Sequence, residues 1–379
     1  DEARMMRNLD RLQGRMAGLG VMLRPHMKTA KSLDVAERAL GGRKGPVTVS
    51  TLKEAEGFAA AGYRDIVYAV GIAPAKLDRV LAVRANGCDL AVVLDNEDQV
   101  QAVAGACARS GDAVPVLLEI DSDGHRSGLK PADPAIVTIG RMLHAKGAEL
   151  RGVLTHAGES YEARSPGALA EFARLERDGA VTAAGLLRAA GLPCPVVSVG
   201  STPTAHFATD LTGVTEVRAG VYMFFDLVMA GIGVCTTDDI AVSVLTEVIG
   251  HQRDRGWTIV DAGWMALSRD RGTAGQPVDQ GYGIVCDADG RPLDDLIVLR
   301  ANQEHGIVGL RPGSRRPAPK LPVGTRLRIL PNHACATAAQ FAGYSVLPAD
   351  GGPIREWAPF RRWRGGRARG RRWRRRGSG

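Results

Sequence analysis

The sequence lacks a long hydrophobic run, an apolar leader and any closely spaced cysteine pair. No run approaches the roughly 18 apolar residues that span a bilayer, so we expect no membrane-spanning segment. Residues 1–10 are charged and contain no hydrophobic region of a secretory signal. The cysteines form no CxxC pair, which favours reduced thiols in a cytoplasmic protein; they occur at positions 88, 107, 194, 235, 286 and 335.

Acidic residues are absent from the C-terminal end, so the arginines there have no opposite charge beside them and account for the positive net charge of the whole chain. The 379 residues have a formal net charge of +8, but residues 361–379 hold ten arginines and no acid. Removing these ten from the 49 basic residues leaves 39 against 41 acidic residues, so the remainder is near neutral. A nucleic-acid-binding body would be basic. Residues 364–379 are rich in Arg and Gly and predict a disordered tail, with nucleic-acid binding by the tail as the alternative.

A strand followed by a helix is the repeating pattern of residues 1–230. The β-rich runs are almost continuously apolar, as expected for parallel strands that are covered on both faces. Eight such units favour an α/β protein with a (β/α)8 TIM barrel over an open sheet. The eight runs are residues 21–24, 46–50, 65–70, 89–94, 115–120, 149–155, 195–200 and 215–219.

Residues 231–363 show a different pattern, in which Gly, Pro and Asp separate short β-rich runs and helical periodicity is weak. This composition predicts a mostly-β domain, such as a small barrel. We therefore predict a barrel domain at 1–230, a β domain at 231–363 and the tail at 364–379. The β-rich runs of the second domain are residues 240–249, 257–261, 282–286, 296–301 and 325–330.

Lys28 lies between the first predicted strand and a helical pattern at residues 32–40. This position corresponds to the C-terminal mouth of the barrel, where TIM barrels carry their chemistry. A lysine held there, partly out of water, can have a lowered pKa and form a Schiff base with an aldehyde. The alternative for this stretch alone is a surface lysine before a helix.

Loops rich in small residues follow the predicted strands seven and eight, at 200–204 and 218–222. Barrel phosphate sites are commonly built from these two loops, because small residues leave backbone N–H groups free to face an anion. Arg126 lies in a Gly-bounded turn after an earlier strand. Together with Lys28, these loops predict a pocket for a phosphorylated aldehyde.

His333 and Cys335 are two residues apart and project to the same side of an extended segment. An imidazole and a thiolate suit Zn²⁺ and leave positions open for water and substrate. A structural turn is the alternative. His305 lies in the segment 303–306, at a probable strand end. It could be a third metal ligand, a substrate contact or a structural histidine.

Seven motifs in this order resemble the D-serine dehydratase / D-threonine aldolase family, the metal-dependent enzymes with the alanine racemase fold and pyridoxal 5′-phosphate (PLP). The similarity extends from about residue 2 to residue 363. The motifs are Arg24-Pro-His-Met-Lys-Thr, His156-Ala-Gly-Glu-Ser-Tyr161, Gly200-Ser-Thr-Pro-Thr204, Glu216-Val-Arg-Ala-Gly-Val-Tyr222, Asp261-Ala-Gly263, Gln303-Glu-His-Gly306 and Pro331-Asn-His-Ala-Cys335.

The resemblance implies PLP as cofactor, a divalent metal (Zn²⁺, with Mn²⁺ or Mg²⁺ as alternatives) and a head-to-tail homodimer. It makes Lys28 the Schiff-base lysine and places Arg126 against the phenolic oxygen of the cofactor. His333 and Cys335 correspond to the metal ligands. Independently of the resemblance, Gln303 and His305 are candidate substrate contacts. The cofactor-binding set implied in this way is Lys28, Arg126, His156, Tyr161, Ser201, Thr202, Arg218, Gly220, Val221 and Tyr222.

The implied activity is a lyase reaction on small D-β-hydroxy-α-amino acids. The His-x-Cys pair resembles the dehydratases, which favours conversion of D-serine or D-threonine to a 2-keto acid and ammonia. The alternative is a D-threonine or 3-hydroxy-D-aspartate aldolase, which releases glycine and an aldehyde. A racemase needs a second base in place of the metal, and a non-catalytic PLP carrier lacks the β domain, so both are less favoured.

Overall fold

Eight parallel strands form a barrel in the structure, a computed structural model that describes residues 1–360. The predicted tail at 364–379 lies outside the described residues. The strands neighbour one another in the order β1-β8-β7-β6-β5-β4-β3-β2. They are β1 (Met22–Pro25), β2 (Val47–Val49), β3 (Asp65–Gly71), β4 (Asp89–Leu94), β5 (Pro115–Ile120), β6 (Glu149–Thr155), β7 (Val196–Val199) and β8 (Glu216–Ala219).

Helices alternate with these strands and cover the outside of the barrel. Short 3-10 turns at Gly158–Glu162 and Val221–Met223 follow β6 and β8. The α-helices of this part are α1 (Glu2–Gly18), α2 (Leu33–Ala39), α3 (Leu52–Ala60), α4 (Leu77–Arg84), α5 (Glu97–Ser110), α6 (Ala135–Ala145), α7 (Pro166–Ala189), α8 (Thr202–Phe207) and α9 (Leu227–Gly231).

The barrel closes between its first and second strands. A parallel bridge joins His26 to Thr48, and the Met27 N–H donates to the Thr48 carbonyl over 2.8 Å. Every strand follows its helix in the alternation that the sequence predicted. The predicted (β/α)8 TIM barrel is therefore confirmed.

Local sequence signals explain where the longer helices begin. Asn96 caps α5 by accepting from the Gln99 N–H, and Ser165 caps α7 just before a proline at the first helical position. Side-chain oxygens at these positions satisfy N–H groups that have no partner inside the helix. The starts of these two helices are thus encoded locally.

The barrel interior has an apolar layer contributed by β3 to β6 and a charged cluster near β1 and β8. Arg24 is buried between Glu216, at 2.8 Å, and Asp65, at 2.6 Å. A buried arginine is tolerated when each charge has a partner. The apolar layer is formed by Val67, Ala91, Val93, Leu117 and Leu154.

A second, closed barrel of six antiparallel strands follows, with a separate apolar core. Its strand order is β10-β13-β12-β11-β14-β9, and the predicted C-terminal β domain is therefore present. The sequence patterns missed β13, which has only five residues, two of them glycine. The strands are β9 (Val244–Gln252), β10 (Trp257–Val260), β11 (Gly283–Cys286), β12 (Pro292–Ala301), β13 (Gly306–Leu310) and β14 (Arg326–Pro331), with short helices α10 (Trp264–Leu267) and α11 (Ala334–Ala338).

A hairpin of β15 (Tyr344–Val346) and β16 (Arg355–Trp357) leaves the small barrel and packs on the first domain. The Tyr344 hydroxyl donates to the Ala30 carbonyl over 2.8 Å, and the Trp357 ring lies 4.1 Å from the Arg38 guanidinium. The hairpin thus contacts and stabilises the backbone at Ala30, two residues after Lys28. The domain boundaries at residues 230 and 363 stay predictions.

Within residues 1–360, no helix has both the length and the hydropathy needed to cross a bilayer. The cytoplasmic location and the homodimer stay predictions.

Candidate active site

A cavity of about 460 Å³ opens at the C-terminal ends of the barrel strands. Tyr222 lies behind its wall and is fully buried. The structure brings together nine of the ten residues predicted to bind the cofactor, along with both predicted metal ligands. These lining residues are Lys28, Arg126, His156, Tyr161, Ser201, Thr202, Arg218, Gly220, Val221, His333 and Cys335.

Lys28 extends into the cavity from the loop after β1. Burial lowers the pKa of the Lys28 amine, and the positive charges of Arg126 and Arg218 lower it further, against the opposing effect of Cys335. An amine with a lowered pKa is neutral more often, and the neutral form is the nucleophile that attacks an aldehyde. The environment of Lys28 therefore suits Schiff-base chemistry.

His156, at the end of β6, is held as a neutral imidazole. Its Nδ1 lies 2.9 Å from the Gly200 carbonyl oxygen, which only accepts, so Nδ1 carries the hydrogen and Nε2 is left as an acceptor. Burial lowers the pKa of His156 to about 3, and the Lys28 charge acts in the same direction. His156 therefore adds no positive charge to the cavity near neutral pH.

Arg218 forms the cationic floor of the cavity. Its guanidinium donates to the Ser198 hydroxyl and to the Thr155 carbonyl, each over 2.5 Å. Burial lowers the pKa of Arg218 to about 10, so the group is still charged at neutral pH. Ser198 in turn donates to Glu216 over 2.6 Å, which fixes the orientation of the cation. Arg126 also lines the cavity, is half-exposed and lies 3.6 Å from Glu119.

The loop after β7 has a conformation that requires glycine at position 200. Gly200 has a φ of 141°, and a Cβ there would lie 2.0 Å from the Arg218 carbonyl oxygen. Among the described residues, the buried hydroxyls of Thr202 and Tyr222 have no hydrogen-bond partner. Buried polar atoms normally have one. Thr202 lines the cavity, and a phosphate group there would supply an acceptor for its hydroxyl. The residues present therefore fit the phosphate of PLP.

His333 and Cys335 lie on the wall that the second barrel contributes. Burial alone would raise the pKa of Cys335, but the hydrogen bond and charge of His333 outweigh it and lower the pKa. Burial alone would lower the pKa of His333, yet Asp270, whose carboxylate is 2.5 Å from Nδ1, and Cys335 raise it to about 11. The pair is thus an imidazolium beside a thiolate-prone sulfur.

The two side chains fit a metal ion that keeps open coordination positions. Within residues 1–360, no group of three or more His, Cys, Asp or Glu side chains converges on one point. A thiolate and an imidazole suit Zn²⁺, and Asp270 orients the imidazole through its other nitrogen, as carboxylates commonly do beside metal-bound histidines.

Gln303 and His305 do not line this cavity. They lie exposed in the turn between β12 and β13, where the Asn302 carbonyl accepts from the Trp264 N–H over 2.8 Å. The order of the motifs along the chain gave no indication that Gln303 and His305 lie apart from the other predicted site residues. Their predicted contact with substrate is not made within the single chain.

Sequence reasoning also missed residues that the fold brings to the site. The Thr29 hydroxyl lies 3.1 Å from Cys335 Sγ, and Asp270 pairs with His333. Thr29 follows Lys28 directly, which is a usable local signal, whereas Asp270 is 63 positions from His333 and carries none. The contact of Thr29 with Cys335 depends on how the two barrels pack, and that of Asp270 with His333 depends on the fold of the second domain.

A stability prediction arises at His206, on the helix α8 that follows the phosphate loop. Burial lowers the pKa of His206 from 6.5 to about 4. Between these values the unfolded chain binds one more proton at this position, so stability falls as the pH falls. We expect His206→Phe to reduce this slope by up to about 1.4 kcal/mol per pH unit, measured by urea unfolding between pH 4 and 6.5. Equal slopes for parent and variant would contradict the assignment.

Comparison with known proteins agrees with this geometry. Residues 1–228 match the alanine racemase N-terminal domain, and residues 241–347 match the putative serine dehydratase domain. The chain belongs to the D-serine dehydratase / D-threonine aldolase family. The family inferred from the seven motifs is thereby confirmed. Its members are PLP-dependent lyases, which also confirms the prediction of an enzyme of this type.

Two curated relatives show the range of the family. The D-threo-3-hydroxyaspartate dehydratase of Delftia sp. (strain HT23) is 56% identical over 366 residues, covering 96% of each chain. The D-serine dehydratase of Schizosaccharomyces pombe is 31% identical over 389 residues, covering 96% of this chain and 90% of that protein.

Solved structures give the same result for the fold. The Delftia enzyme superposes with a TM-score of 0.93 over 96% of each chain. A D-threonine aldolase from Filomicrobium marinum, 25% identical, superposes with a TM-score of 0.79 over 95% of this chain and 93% of that one. A Cys-to-Ala variant of the Delftia enzyme has been solved in a metal-free form.

Proposed function

We propose that this chain is a PLP- and divalent-metal-dependent dehydratase of D-β-hydroxy-α-amino acids that prefers D-threo-3-hydroxyaspartate to D-serine. The reaction releases a 2-oxo acid, ammonia and no glycine. The single observation that supports it best is that Lys28 and the His333–Cys335 pair line one cavity. Thr29, the neighbour of Lys28, contacts Cys335 over 3.1 Å, so the amine and the metal ligands face the same substrate.

The barrel side of the cavity would hold the cofactor. PLP, when bound, withdraws electrons from Cα of an attached amino acid. Lys28 would hold the cofactor's aldehyde carbon, and the hydroxyl of Thr202 would donate to the phosphate. The Lys28 amine would be placed to take the α-proton of the substrate, and its lowered pKa keeps part of it in the basic form.

The β-barrel side would act on the substrate's β-hydroxyl. A divalent metal supplies a Lewis acid for that oxygen. His333 and Cys335 would hold the ion, which requires both to lose their protons. Asp270, on the other imidazole nitrogen, keeps the ring in place. Loss of the α-proton together with loss of the β-hydroxyl is dehydration.

The choice of substrate rests on the relatives and on charge. The Delftia protein, at 56% identity, is called a D-threo-3-hydroxyaspartate dehydratase. Its substituted histidine and cysteine are two positions apart, as His333 and Cys335 are. The positive charge of Arg126 at the cavity mouth favours a substrate with a second carboxylate. Zn²⁺ is the proposed metal because the ligand pair includes a thiolate.

A product assay tests this proposal. The purified protein, loaded with PLP and Zn²⁺, is given D-threo-3-hydroxyaspartate, D-serine or D-threonine in separate reactions. We expect oxaloacetate and ammonia from the first, with kcat/KM about tenfold or more above that for D-serine, because a charged hydrogen bond contributes about 1.5–3 kcal/mol.

The L-isomers are the controls and should not react. Glycine and glyoxylate as the main products from hydroxyaspartate would show an aldolase and overturn the dehydratase proposal. A higher kcat/KM for D-serine would overturn the substrate preference alone.

A further inference from the structure

Glu176 is a carboxylate in a position where the helix pattern calls for an apolar residue. It lies on α7 between Ala173 and Ala180, on the buried face of that helix, and is only 2% exposed. Burying a carboxylate is unfavourable unless hydrogen bonds compensate. The hydrogen-bond partners of the Glu176 carboxylate therefore indicate its role.

The carboxylate of Glu176 joins the ends of two neighbouring strands. Oε1 accepts from the Ala157 N–H over 2.8 Å, after β6, and from the Gly200 N–H over 2.9 Å, after β7. Oε2 accepts from the Thr204 hydroxyl, in the first turn of α8, over 2.6 Å. Three donors from three segments thus converge on one side chain.

These contacts determine the shape of the loop at 200–202. The Gly200 N–H is bound by Glu176, and the Gly200 carbonyl accepts from His156 over 2.9 Å. The Thr204 hydroxyl also accepts from the Ser201 N–H over 3.1 Å. Without the carboxylate, the two backbone N–H groups would be buried without partners, and the loop would have to move to find others.

Glu176 itself does not line the cavity, so it acts through other residues. Burial raises the pKa of its carboxyl, while the three hydrogen bonds act in the opposite direction. The positive charge of Arg218 also acts to lower the pKa of Glu176.

We propose that Glu176 is a positioning residue for the cofactor phosphate, because its carboxylate fixes the backbone of Gly200 and the first turn of α8 beside Thr202. This inference rests on the proposed function, since it takes the loop at 200–202 as the phosphate site. It makes a prediction that the proposed function does not: removal of Glu176 weakens the hold on the phosphate and leaves the aldehyde chemistry of Lys28 intact.

Two ligands separate these effects, namely PLP and pyridoxal, which lacks the phosphate. Cofactor-depleted protein is titrated with each, and the visible absorption band of the lysine-bound aldehyde gives the dissociation constant. For Glu176→Ala we expect PLP to bind about 10- to 100-fold more weakly and pyridoxal to bind within about threefold of the parent. Glu176→Gln should stay near the parent with both ligands, because its amide oxygen still accepts from Ala157 and Gly200.

Glu171→Ala is the matched control, since Glu171 lies on the same helix but is exposed and pairs with Arg174. It should bind both ligands like the parent. If Glu176→Ala does not fold, Glu176→Asp takes its place and should also lose affinity for PLP selectively. Equal affinity for PLP in all variants, or equal losses for PLP and pyridoxal, would overturn the proposal. A parent that binds neither ligand would instead contradict the proposed function.

Discussion

Replacing Lys28 with alanine is expected to abolish lyase activity, with a loss of at least about 10²- to 10⁴-fold in kcat. The lower figure covers the loss of a positioned base alone, and loss of the covalent hold on the cofactor adds to it. Lys28 is the amine that lines the barrel side of the cavity, and burial lowers its pKa. The same variant should lose the visible absorption band of the lysine-bound cofactor, which a spectrum of the purified protein measures.

The matched control is Lys53→Ala, which removes an exposed lysine of α3 and should keep both activity and spectrum. PLP should still bind to Lys28→Ala noncovalently, because the hydroxyl of Thr202 and the Arg218 cation are unchanged. A Lys28→Ala protein that turns over as fast as the parent would show that another amine holds the cofactor, and the proposed function would then be wrong.

Removal of the metal is expected to stop dehydration while the cofactor stays bound. Treatment with a chelator, His333→Ala or Cys335→Ala should each lower kcat by about 10²-fold or more, because a Lewis acid contributes several kcal/mol to loss of a hydroxyl. The visible band of the lysine-bound cofactor should persist in all three samples. Steady-state kinetics, spectra and metal analysis on one preparation measure these effects together.

The pH dependence of metal binding follows from the same pair. His333 has a pKa raised to about 11 in the protein without metal, so the ion must displace a proton. Affinity for Zn²⁺ should therefore rise with pH below that value.

Cys88→Ala is the matched control for Cys335→Ala in the metal-removal experiment, since Cys88 is buried just before β4, at the opposite end of the barrel. Full dehydratase activity after chelation would show that the pair has a structural role only.

The barrel itself was predictable because its signals are local. Eight apolar runs separated by helical patterns require parallel strands with helices between them, and caps such as Asn96 and Ser165 mark where helices begin. Residues that follow strand ends, such as Lys28, Gly200 and Gly220, must then meet at one end of the barrel. This is why most of the predicted site residues line one cavity.

Contacts between distant segments were not predictable in the same way. Thr29 reaches Cys335 only because the small barrel packs against the mouth of the large one. Asp270 reaches His333 because the loop after α10 lies beside the end of β14 within the second domain. Glu176 is conspicuous in sequence only as an acid on an apolar helix face, and its three donors come from separate segments. Gln303 and His305 carry a motif as clear as the others, yet within one chain they do not line this cavity.

The sequence by itself determined the two barrels, the order of the chemistry-bearing loops and the family, because strand and helix periodicity and short motifs are properties of neighbouring residues. Tertiary structure alone decided that Cys335 lies beside Thr29, that Asp270 orients His333 and that Glu176 holds the loop at Gly200. These contacts join segments separated by 24 to more than 300 positions. No short-range pattern specifies such distances, and only the packing of the two barrels and their helices does.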